Sequence, residues 1–126
     1  VWSSGIWVCT ATGSTAAMAA AGGERMHYSS GDLQYKIREH LVEAHNIDKV
    51  KGKDFGRVSP NGKIHLRWNS HYGKIYIDGS HLSHDIQLGD EILIDCHAPE
   101  LKIFMKKEQL ERIDKLTGDG GQQMLC

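Results

Sequence analysis

A chain of 126 residues can build one domain around one core. Its net charge of −1 and pI near 6.8 give no basic footprint for nucleic acid or an anionic membrane. Three cysteines far apart in sequence (Cys9, Cys96 and Cys126) exclude a disulfide framework and suit a reducing compartment.

In chain order, Gly5 to Thr10 is a β-branched and aromatic run that predicts a buried strand. It leads into a small-residue turn, Ala11-Thr12-Gly13-Ser14-Thr15. Ala16 to Ala21 is the best helix-forming stretch, and Gly22-Gly23 supplies a C-terminal stop. Glu24 to Asp32 is loop-like, and Leu33 to Arg38 alternates as a half-buried strand does. Glu39 to Gly62 carries little signal beyond a short helix near Leu41 to His45.

A meander then follows. Lys63 to Trp68 is a strand, Asn69 to Gly73 a polar turn, and Lys74 to Ile77 a strand that ends on the hairpin signal Asp78-Gly79. His81 to Ile86, a turn at Leu88-Gly89-Asp90, Glu91 to Cys96 and Leu101 to Met105 complete it. Short strands between turns about every 8–12 residues predict a mainly β, antiparallel sandwich or meander, with one short helix capped by the Gly-Ser-Thr turn. Leu110, Ile113 and Leu116 have helical spacing in a tail that frays after Gly118. The expected division is a domain over 1–107 and a helix and tail over 108–126.

No stretch reaches the roughly 18 apolar residues of a membrane span, and Val1-Trp2-Ser3-Ser4 lacks the positive start of a secretory signal. The absence of an initial methionine and the immediate strand read as a piece of a longer chain. The eight histidines suggest a metal, but strand alternation points His81 and His84 to opposite faces, and no H-E-x-x-H occurs, so no metal ligand is assigned. Lys49 to Lys53 reads as a solvated basic loop rather than a phosphate contact. Trp2, Trp7 and Trp68 read as core or interface anchors rather than stacking platforms.

Chemistry concentrates in Thr10 to Ala16. A glycine turn opening a helix lets the backbone approach a ligand, while Ser14 and Thr15 offer hydroxyls to the helix end or to a ligand oxygen. Val8-Cys9-Thr10-Ala11-Thr12-Gly13-Ser14-Thr15-Ala16, the alanine helix and Gly22-Gly23 together resemble the signature of NAD kinases. Ile75-Tyr76-Ile77-Asp78-Gly79 and the later Gly89-Asp90-Glu91 resemble that family's paired strands. The resemblance is strongest to the plant NADH kinase branch and covers most of residues 4–105.

It implies the C-terminal domain of the NAD kinase fold and phosphorylation of NADH or NAD at the adenosine-ribose 2′-hydroxyl, using ATP and Mg²⁺. Gly13, Ser14, Thr15, Ala16, Ala17, Ala20, Asp78 and Ser80 would form the dinucleotide wall. A homodimer or higher homo-oligomer is also implied. Most relatives have tyrosine at the Ala17 position and an Asp-Gly pair where this chain has Ser4-Gly5. The family's Gly-Gly-Asp-Gly loop, with its proposed catalytic aspartate, and its Asn-Glu pair do not occur here, so no catalytic residue is assigned. This chain alone is expected at best to bind, and not to turn over. A related lipid kinase of the diacylglycerol or sphingosine type and a non-catalytic nucleotide-binding piece are the alternatives. Cytoplasm is the default location; Met124-Leu125-Cys126 matches no peroxisomal address.

Overall fold

The computed structural model describes residues 3–41, 52–100, 102 and 104–118. Its strands are antiparallel throughout, in agreement with the mainly β expectation. The first sheet is a meander of β1 (Gly5–Cys9), β2 (Leu33–Arg38) and β3 (Phe55–Val58). Between β1 and β2 the chain makes a 3₁₀ turn, Thr12–Thr15, and one turn of helix, α1 (Ala17–Ala20).

The helix ends as the glycine pair predicts. Gly22 takes φ +81°, its N–H donates to Ala19 C=O at 3.0 Å, and the Gly23 N–H donates to Met18 C=O at 2.9 Å. This is a Schellman closure, in which a left-handed residue turns the orphan carbonyls inward. Gly23 is required for space: a Cβ there would lie 2.6 Å from Met18 Cγ and 2.7 Å from Gln34 Oε1. At the other end of α1 the expected hydroxyl cap is not made. Ala16 occupies the N-cap position without a side-chain hydrogen bond. The Ser14 hydroxyl is committed elsewhere, donating to Ala11 C=O at 2.6 Å and accepting from Met26 N–H at 2.9 Å.

The second part is one long ribbon. β4 (Ile64–Arg67) pairs with β7 (Glu91–Ile94), and between them β5 (Tyr72–Tyr76) pairs with β6 (Ser83–Gln87). The register shifts by one residue between the two halves, since 68–71 on one strand faces only 88–90 on the other. Trp68 bridges this bulge through bonds to Asp90 C=O and from Gly89 N–H. Ile77 N–H bonds Leu82 C=O, so Asp78 (φ +51°) and Gly79 (φ +120°) lie in a loop longer than a two-residue turn.

Three expectations need correction. β3 lies in the stretch that carried little signal; it is only four residues long and is recruited by the edge of β2. Lys102, Phe104 and Met105, expected in a strand, lie outside any strand, with the Phe104 ring fully exposed. Without a paired neighbour, alternation alone does not make a strand. The helix α2 begins at Lys107 and runs to Gly118. The short helix expected after Leu41 and the fraying tail after Gly118 lie outside the described residues.

The core is small: Ala11, Met18, Met26 and Leu33 around the first sheet, with Ile64 and Ile86 in the ribbon. The strand β2 is buried in an order its alternation does not foretell, because Gln34 is fully buried. Its amide accepts from Glu24 N–H and donates to Glu24 C=O, both at 2.7 Å.

Candidate functional site

One face of the first sheet carries Cys9, Trp7 and Gly5 on β1 opposite Gln34, Lys36 and Arg38 on β2, by direct cross-strand pairing. The 3₁₀ turn and α1 follow β1 at once and fold back over the Cys9–Gln34 end. There a Cβ on Gly13 would lie 3.0 Å from Cys9 Cβ, and burial pushes the Cys9 thiol pKa up. The Trp7–Lys36–Arg38 end stays open. Between it and α1 lies a shallow, largely open cleft of about 460 Å³.

Ala17, Ala20 and Ala21 form one wall of the cleft, and Trp7, Lys36, Ile37, Arg38 and Glu39 form the other. Three alanines reach no further than Cβ, which leaves the space open. Opposite them, the Arg38 guanidinium lies 5.3 Å from the Trp7 ring centre, in cation–π range. Gly5, directly opposite Arg38 in the ladder, has no side chain to compete for that position. Lys36 Nζ is 3.8 Å from Asp54 Oδ2 and 5.9 Å from the Phe55 ring. Arg38 Nη2 is 3.9 Å from Glu39 Oε1, and Glu39 holds φ +45°. Both ion pairs are long and partly solvated, so neither binds its cation tightly.

The residues singled out in the sequence divide into three groups. Ala17 and Ala20 line the cleft. Gly13, Ser14, Thr15 and Ala16 lie in the turn that precedes it. There Ser14 is fully buried, and the Thr15 hydroxyl makes only a long bond of 3.4 Å to Thr12 C=O. Asp78 and Ser80 are exposed at the tip of the β5–β6 hairpin and do not line the cleft. Lys36, Arg38 and Glu39 were missed. The i, i+2 spacing of Lys36 and Arg38 on β2 was legible, but the helix that faces them was not. Trp7, read as an anchor, lies in the cleft wall at 38% exposure.

Among the described residues no group of three or more His, Cys, Asp or Glu could hold a metal ion. His81 and His84 are both exposed. No described helix is long and apolar enough to cross a membrane.

The Gly-Ser-Thr turn that carries the NAD kinase resemblance thus lies between β1 and α1, and comparison with known proteins bears out the resemblance itself. The chain is 41% identical over 103 residues to the NADH kinase of Arabidopsis thaliana, which covers 82% of this chain and 31% of that protein. It is 42% identical over 110 residues to a probable NADH kinase of Oryza sativa subsp. japonica, covering 87% of this chain and 33% of the relative. The chain is thus related to plant-type NADH kinases and spans about a third of their length. No family model and no solved structure matches it.

Proposed function

We propose that this chain is the dinucleotide-binding part of a kinase that phosphorylates NADH or NAD. The observation that carries the proposal is the identity of 41–42% to the two plant proteins over most of this chain. In the reaction the ribose 2′-hydroxyl oxygen attacks the γ-phosphorus of ATP. The bond to the β,γ-bridging oxygen breaks, ADP leaves, and the hydroxyl proton passes to a base. Positioning and electrostatics do most of the work in such transfers. The Gly-Gly-Asp-Gly loop that would supply the base does not occur in this sequence, so this segment holds substrate while the rest of the whole protein provides the base.

Mg²⁺ accompanies the ATP of such kinases; among the described residues no group of three or more His, Cys, Asp or Glu could hold it. The exposed Tyr72, Tyr76, Leu88 and Leu93 of the ribbon support a homo-oligomer in which the ribbons complete a sandwich. A cytoplasmic location is the default that goes with the same proposal.

The test is a chimaera in which residues 4–105 replace the matching stretch of the Arabidopsis thaliana enzyme. It should form NADPH from NADH and ATP, while the 126-residue chain alone binds NADH without turnover. A folded chimaera that makes no NADPH would overturn the proposal.

A further inference from the structure

We infer that the outer edge of β1 pairs with a further β-strand, supplied by the part of the longer protein that this chain does not span. The inference does not rest on the reaction proposed above.

Alternation along the ladder identifies the groups on that edge. Ile37 N–H donates to Asp54 C=O at 2.6 Å and so faces β3, which turns the backbone of Lys36 and Arg38 toward β1. Ser4 N–H, donating to Arg38 C=O at 3.2 Å, closes that side of the ladder. Trp7 and Gly5, the partners of Lys36 and Arg38, therefore aim their N–H and C=O groups at β2, as does Cys9 opposite Gln34. Ile6 and Val8 aim theirs outward. The sheet order is β1-β2-β3, so among the described residues no strand meets them.

The two edges of this sheet differ in kind. The four-residue β3 carries Arg57 and runs into a turn at Ser59-Pro60, which Gly62 N–H closes on Ser59 C=O. Charge and proline guard an edge that ends a sheet. Gly5-Ile6-Trp7-Val8-Cys9 has neither over its five residues. Its composition is that of an interior strand.

The neighbours of β1 state what the added strand must carry. Ile6 and Val8 stand opposite Ile37 and Tyr35 on one face, so it presents β-branched or aromatic residues there. On the other face its side chains stand beside Gly5, Trp7 and Cys9 and lengthen the cleft wall beyond Trp7. The relatives have the length to supply it, since this chain covers 31% and 33% of them. A strand of the same polypeptide also has an effective concentration that a second copy does not reach.

Amide hydrogen exchange, read residue by residue, tests the edge. In the dilute 126-residue chain the Ile6 and Val8 amides should exchange as fast as loop amides, while Trp7 and Cys9 are protected. In the chimaera carrying residues 4–105, all four should be protected, equally at every concentration. Val8→Pro removes only an outward N–H, so it should lower the Tm of the chimaera by several degrees and barely move that of the chain. Trp7→Pro breaks the ladder to β2 and should lower both.

Fast exchange at Ile6 and Val8 in a folded chimaera would overturn the inference. So would protection found only in the isolated chain and growing with its concentration, which gives the edge to a second copy. The chimaera decides the matter even where the isolated chain protects none of the four amides. A chimaera that protects them and makes no NADPH would remove the kinase proposal and leave the strand. One that makes NADPH with both amides fast would remove the strand and leave the kinase.

Discussion

The side-chain amide of Gln34 pairs with the backbone of Glu24, accepting from its N–H and donating to its C=O at 2.7 Å each. A buried side chain thus acts as one rung of a strand and fixes the path of the chain as it leaves α1. The same amide limits Gly23, whose Cβ would collide with Oε1. Gln34→Leu keeps the volume and removes both bonds, so it should cost about 2 kcal/mol, two bonds at typical net strength. Urea denaturation measures this, and a loss below about 0.5 kcal/mol would mean that water replaces the amide.

Ser14 is fully buried with its hydroxyl bonded on both sides, to Ala11 C=O and from Met26 N–H. Ser14→Ala should lower stability by about 2–3 kcal/mol, because it strands the buried Met26 N–H. NADH affinity per folded molecule should be unchanged in calorimetry. If affinity falls instead while the thermal midpoint holds, the hydroxyl belongs to the ligand and not to the fold.

In the ribbon, the Trp68 ring lies so close over Gly73 that a Cβ there would meet Cζ2 and Cε2, and its Nε1 is buried without a hydrogen-bond partner. Gly73→Ala should destabilise by about 1–3 kcal/mol through overpacking. Trp68→Phe, which removes the unpartnered donor along with some ring area, should cost less than Gly73→Ala. Chemical denaturation of the two variants side by side checks the order, and a larger loss for Trp68→Phe would show that the indole N–H is satisfied.

Burial under the Gly13 turn raises the Cys9 thiol pKa. A raised acid group stabilises the fold fully below its unfolded pKa and loses that contribution as pH rises through the folded value. Stability should therefore fall above the ordinary thiol range, near pH ~8.5. Cys9→Ala should flatten that part of the profile. Thermal midpoints between pH 7 and 10 measure the difference between the two proteins; parallel curves would place the titration elsewhere.

Local chemistry made several features readable from the sequence alone. The glycine pair after an alanine run had to stop a helix, because only Gly22 adopts the left-handed turn without strain. Period-two alternation located β2, β4 and the β5–β6 hairpin, and the Gly-Ser-Thr string pointed to its relatives. Tertiary structure decided the rest. Whether Gln34, Lys36 and Arg38 face water or protein depends on α1 folding back across β2, and periodicity on one strand carries no information about what covers it. The four-residue β3 exists only because β2 offers it an edge. Trp7 and Arg38 meet through a ladder between residues some thirty apart in sequence, so the cleft wall belongs to the pairing of two strands and could not be read from either one.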